Sequence, residues 1–229
     1  MLALGIWYSL NARPGYLVSF ECSTRVSGLD TRYEIQNTSY KPFPNTQYPI
    51  LNTTMPRKYK NIQDEALKDI AEFMCVAART APKTRGRDNL VIAALSKEDR
   101  KKVISRMKLI ARRDNRPSCA RDAENIKNSG QIVVIGTKKE TLGLNCGFCG
   151  YPTCAELAKT KGVCAFNAMD LGIALGSSAS MAAGFHADNR MMYSIGKAAV
   201  ELGILGKGVI QAIGIPLSAT GKNPFFDRK

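Results

Sequence analysis

Histidine occurs once in this 229-residue chain, as does tryptophan. A lone histidine, His186, rules out any mechanism that needs a histidine pair or a Ser-His-Asp triad beyond that one position. Acidic side chains are also few. Nineteen Asp and Glu stand against 33 Lys and Arg, a net charge of +14, which favours anionic partners such as nucleic acid, acidic proteins, nucleotides or phosphate cofactors. The basic residues are spread from Arg57 to Lys139 and along the tail, with acidic residues among them. They are not gathered with aromatics into one stripe, so a generally basic surface is favoured over a dedicated nucleic-acid site. Long apolar runs are missing as well: Leu171 to Phe185 is too short and too glycine-rich to span a bilayer. Met1 to Leu10 has no basic n-region, and no small-residue cleavage site follows it. A soluble, cytoplasmic domain is the expectation.

The cysteines do not form a scattered, even-numbered set of the kind that staples secreted proteins. There are seven, and four fall between Cys146 and Cys164, which fits a reduced compartment. Their spacing is C-x2-C-x4-C-x9-C, and four thiolates are what a 4Fe–4S cubane needs. The close pair Cys146 and Cys149 turns both Cβ vectors inward on a short loop, with Gly147 and Gly150 permitting that backbone. Pro152 stiffens the return, and Cys154 opens a short helical stretch, Ala155 to Lys159. Its dipole, with Lys159 and Lys161, suits an anionic ligand set. Cys146, Cys149, Cys154 and Cys164 are therefore the expected ligands, with Cys119 or Cys75 as substitutes for the last if the fold brings them near. Zinc is the rival, since tetrahedral thiolate sites suit either metal, and a basic zinc module would recognise nucleic acid.

Along the chain, the first 54 residues hold few charges, five of the eight tyrosines and the tryptophan, with no persistent period. They read as an extension, and Met55 is a candidate start codon, leaving 55–229 as the iron–sulfur domain. Asn61 with Asp64 and Glu65 signals a capped helix whose apolar face is Ile62, Leu67, Ile70, Phe73, Met74 and Ala77, ending near Pro82. Asn89 to Leu95 and Gln131 to Gly136 read as buried strands. Between them, Ser96 and Asp99 cap a helix that turns Val103, Ile104, Met107 and Ile110 inward. Helices over about 167–183 and 189–202 and an apolar segment 209–215 complete an α+β or α/β sandwich. Gly172 and Gly176 predict close helix packing in the core.

From Ile62 onward the chain resembles an uncharacterised family of bacterial and archaeal proteins said to contain a ferredoxin domain. The residues that carry the likeness are 77–83 (AARTAPK), 146–154, 164–176 (CAFNAMDLGIALG), 188–193 (DNRMMY) and 216–228 (PLSATGKNPFFDR). The cysteine loop alone is similar to an iron–sulfur motif of electron-transfer subunits in anaerobic metabolism, where the fourth Cys usually lies further downstream. A fainter likeness, in Ala77 to Pro82 and in Leu202-Gly203 before a strand, is to the flavin-dependent nitroreductases. It implies a nitroreductase-like sandwich with an inserted cluster loop, a homodimer and bound FMN. This chain departs from that pattern, because Lys83 stands where a Ser is usual. If flavin binds, Lys83, Arg85, Arg87, Lys222 and Arg228 are the candidate cations for its phosphate. The expected function is an iron–sulfur redox protein, either an electron carrier or a flavin-linked reductase, with a redox protein or small molecule as acceptor.

Further positions are read as structural. His186 sits at a helix end in a capping or exposed role. Asp170, and Asp188 with Asn189, are expected to complement helix N-termini. Gly203 to Gly208 lacks the Lys-Ser/Thr ending of a phosphate loop and reads as a helix stop.

Overall fold

A computed structural model describes residues 57–226. The expectations for the segment 1–54, Met55 and Arg228 lie outside the described residues. The first helix, α1 (Tyr59–Thr80), buries Leu67, Ile70, Ala71, Met74 and Ala78, a 3.6-residue stripe. Ile62 and Phe73, expected inward, are exposed. The stripe turns a little away from them, and Phe73 instead stacks on Phe185 with centroids 5.8 Å apart. The expected Asn61 cap is absent too: Lys58 is the N-cap and gives no side-chain bond. At the other end the Lys83 ammonium donates to the carbonyls of Ala78, Arg79 and Ala81, complementing the negative end of the helix dipole.

The strands β1 (Leu90–Ala94), β2 (Gln131–Lys138), β3 (Asp188–Asn189) and β4 (Val209–Ser218) form one sheet in the order β1-β2-β4-β3. Every pairing is antiparallel. Helices α2 (Lys97–Arg113), α3 (Pro117–Asn125) and α6 (Tyr193–Glu201) cover one face. The other face carries α1 and α5 (Ala165–Gly184). Side chains alternate across a strand, and β2 shows it: Ile132 and Val134 enter the core under α2, α3 and α6, while Val133 and Ile135 enter the core under α1 and α5. Ser96 caps α2 as expected, accepting from the Asp99 N–H at 3.0 Å. No described helix is long and apolar enough to cross a membrane.

Three readings are corrected here. Asp188 and Asn189 do not cap a helix, because they form β3 against β4 and α6 begins only at Tyr193. Asp170 accepts hydrogen bonds from Thr84 and does not serve the α5 N-terminus. Gly172 and Gly176 face outward, with open space where a Cβ would stand, so they are not the close packing points of the core. That role falls to Gly196 and Gly214, at which α6 and β4 touch. The turn over Gly203, Gly206 and Gly208 is a helix stop, with positive φ at all three.

On the outer side of α2 and α6, the Arg113 guanidinium donates to Asp114 and to Glu201, and Lys197 reaches both carboxylates. The Arg113 hydrogen bond holds Asp114 down at about 2 and lowers Glu201. A carboxyl whose folded pKa is depressed stabilises the fold above its ordinary pKa, and that stabilisation fades as pH falls toward the folded value. Arg113→Gln should therefore lower the denaturation midpoint near neutral pH. The difference from wild type should close as pH approaches about 2, measured by urea titration at both ends. A difference of equal size at both pH values would contradict this reading.

Candidate metal centre

After β2 the chain leaves the sheet and is pinned at three points. The Lys139 N–H donates to Gly208 O at 2.8 Å, Asn167 Nδ2 to Glu140 O at 2.7 Å, and Arg85 Nη1 to Leu142 O at 2.8 Å. Leu142 then buries itself with Leu157 and Cys164 in a small third core, against which Cys149, Tyr151 and Phe166 pack. The loop that follows is tightly curled: Gly143, Asn145, Gly147 and Gly150 all have positive φ. Asn is one of the few side-chain-bearing residues that tolerate this conformation.

Asn145 and Cys154 close the loop reciprocally. The Cys154 N–H donates to Asn145 Oδ1 at 2.8 Å, and the Asn145 N–H approaches Cys154 Sγ at 3.4 Å. Cys154 is the first residue of the short α4 (Cys154–Ala158), capped by Thr153, which accepts from the Glu156 N–H at 3.3 Å. Cys164 is the N-cap residue of α5. Two separate helix starts thus hold the third and fourth thiols, while the curled loop carries the first two.

All four cysteines line one shallow concavity, together with Leu142, Leu144, Tyr151, Leu157 and Phe166. Cys146 is exposed, Cys149 and Cys154 are half-buried, and Cys164 is buried. Phe148, between the first two thiols, is 71% exposed and stacks on Phe166 at 5.5 Å. Among the described residues, no three His, Cys, Asp or Glu side chains stand close enough together to hold a single metal ion. The donor set nonetheless suits an iron–sulfur cluster. It offers four soft thiols and no carboxylate among the lining residues, a backbone N–H aimed at one sulfur, and apolar walls that limit solvent.

The substitutes for the fourth ligand are elsewhere. Cys119 is buried in the core under α2, α3 and α6, and Cys75 packs on the core under α1 and α5. Burial also pushes the Cys75 thiol up. Three of the candidate flavin-phosphate cations have described surroundings. Lys83 engages the end of α1, Arg85 the Leu142 carbonyl, and Arg87 is exposed. His186 is exposed with φ 56, just past the end of α5, the helix-end role expected of it.

Sequence reasoning passed over Asn145, Asn167 and the Thr84–Asp170 contact. Asn145 had a usable signal, an asparagine inside a glycine-rich turn immediately before Cys146. Asn167 and Asp170 had none, because their partners lie 78 and 86 residues away.

Residues 160–228 match a family described as uncharacterized proteins containing a ferredoxin domain. An uncharacterized protein of Archaeoglobus fulgidus is 40% identical over 178 residues, covering 74% of this chain and 95% of its own. Among solved structures, a nitroreductase with bound FMN from Bacteroides fragilis superposes with a TM-score of 0.50 at 10% identity, over 70% of this chain and 81% of that one. A nitroreductase with bound FMN from Desulfitobacterium hafniense gives 0.47 at 19% identity, over 76% and 85%. The first of these likenesses is one of fold: the chain is an α+β sandwich of nitroreductase type. With a relative matched over nearly its whole length and the tail of the chain fitting the family pattern, this chain belongs to the family of proteins described as containing a ferredoxin domain.

Proposed function

We propose that the chain is a cytoplasmic redox protein that holds one 4Fe–4S cluster on Cys146, Cys149, Cys154 and Cys164 and passes electrons to a redox protein or small-molecule acceptor. The observation that carries this reading is that all four thiols line one concavity, although they come from the loop, the start of α4 and the start of α5. The ferredoxin domain in the family's description supports a redox role. When bound, such a cluster supplies reversible one-electron transfer. The chain's own part is to hold the sulfurs and set their surroundings. The Asn145 N–H directed at Cys154 Sγ stabilises thiolate charge and so raises the reduction potential. Leu142 and Leu157, both buried, keep water from the inner side. Exposed Cys146 and Phe148 mark the edge at which an acceptor can approach.

The fold is shared with a protein solved with FMN, while Lys83 and Arg85 donate to backbone carbonyls.

An anaerobic absorption spectrum, with iron, zinc and acid-labile sulfide assayed on the same sample, tests the proposal. A broad band near roughly 400 nm that dithionite bleaches, with about four irons per chain, is the expected result. Resolved flavin peaks would add FMN. A colourless sample with about one zinc would overturn the proposal in favour of a zinc module.

A further inference from the structure

The segment between α1 and β1 is short, exposed and unusual in its backbone. Thr84 to Gly86 makes a single 3-10 turn in which Arg85 has φ 58. A non-glycine residue in the left-handed region is strained, and it persists where surrounding contacts enforce it. Two such contacts are present, and they run in different directions.

On one side, Asp170 takes hold of Thr84. Its carboxylate accepts from the Thr84 N–H at 3.0 and 3.1 Å and from the Thr84 hydroxyl at 2.9 Å. Asp170 is 5% exposed and lies on α5, the helix that begins immediately after Cys164. On the other side, Arg85 Nη1 donates to Leu142 O at 2.8 Å, and a Cβ on Gly143 would stand 3.8 Å from the same nitrogen. Leu142 lines the concavity that the cysteines share, four residues ahead of Cys146. A parallel tie runs through Asn167, 1% exposed, which accepts from Asn89 Nδ2 at 3.1 Å and donates to Glu140 O.

We infer that Thr84 and Arg85 form a latch that sets the position of the cysteine loop relative to the helix carrying Cys164, with Arg85 as its positioning residue. This rests on the cluster reading above for its purpose but not for its geometry. The loop carrying the first three thiols is otherwise joined to Cys164 through α4 and the turn after it. The latch adds a second connection, from Leu142 through Arg85 and Thr84 to Asp170 on α5. The left-handed φ of Arg85 is the conformation in which one short turn serves both contacts, reaching Asp170 with its Thr84 end and Leu142 with its Arg85 side chain. Arg85 is therefore assigned to the cysteine loop and not to a phosphate.

The test uses metal-free chain and reads alkylation of each cysteine by iodoacetamide, mapped by peptide mass. Arg85→Gly keeps the left-handed turn unstrained while removing the side chain and its guanidinium, and Asp170→Asn weakens the Thr84 end. Both should raise the alkylation rate of Cys164 by about tenfold through local opening, with buried Cys119 unchanged. In reconstituted protein both should retain iron yet shift the midpoint potential and broaden the electron paramagnetic resonance signal, with Arg85→Lys restoring part of the change. Unchanged Cys164 rates in both variants, or equal acceleration at Cys119, would overturn the latch. Wild-type chain that takes up no iron while Cys164 still responds to Arg85→Gly would overturn the cluster proposal and leave the latch standing.

Discussion

Cys149→Ser and Cys154→Ser should each lower iron from about four per chain to below about one and abolish the band near 400 nm, while leaving the fold in place. A serine oxygen is a harder, more basic donor than a thiolate and is a poor ligand for a cluster. Loss of one corner ligand exposes that iron to solvent and to dissociation. Stability should change little for a positional reason. The cysteine-bearing segment lies between β2 and α5, and its Leu142, Leu157 and Cys164 form a core of their own, apart from the two cores that flank the sheet. Circular dichroism should therefore report native helix content, with a thermal midpoint within a few degrees of wild type. Cys75→Ser and Cys119→Ser are the controls and should keep full iron. Full iron in Cys154→Ser, or loss of iron in Cys119→Ser, would remove the assignment.

The largest loss of stability is expected from a substitution with no bearing on metal, Gly196→Ala. A Cβ at this position would stand 1.8 Å from Ala212 O and 2.1 Å from its carbonyl carbon. Both are backbone atoms of β4, a central strand paired with β2 along most of its length, so rotamer change cannot relieve the overlap. Either α6 lifts from the sheet or the sheet bends. Overpacking in cores costs about 1–3 kcal/mol and occasionally more. Contact with backbone places this site at the upper end, about 3 kcal/mol or beyond, against typical domain stabilities of about 5–15 kcal/mol. The same change at Gly172 is a clean comparison, because nothing lies within 4 Å of its Cβ and alanine is the better helix former by about 1 kcal/mol. Urea titration should give opposite signs for the two variants. A neutral Gly196→Ala would contradict the described α6–β4 contact.

What was legible in the sequence follows the range of the interactions. The Ser96–Asp99 cap spans three residues and shows in the sequence as a local motif. The strands β1 and β2 are apolar runs between polar turns, and both stand where expected. The four cysteines between Cys146 and Cys164 stand out as a set because their spacing is tight, whereas the separation of Cys164 from Cys119 is a matter of tertiary structure: α5 returns to the loop, and α3 turns Cys119 into a different core. The strand β3 was missed because two residues carry no period, and only pairing with β4 defines it. Gly172 and Gly176 were misread for a related reason: a small residue marks close approach or open space with the same letter, and only the neighbouring element decides. Arg85 was legible as a cation, but its partner, a backbone carbonyl 57 positions away, has no signature in the sequence.

The placement of β2 carries a consequence for handling the protein. Its run from Ile132 to Ile135 is apolar and β-branched throughout, the composition that self-associates when strands are left unpaired. In the native sheet it is shielded, since β1 and β4 lie on either side of it, and the sheet's outer edges fall on other strands. The hazard is confined to states in which β1 or β4 has peeled away, so heating at high concentration should end in precipitation, whereas dilute, denaturant-driven unfolding should reverse.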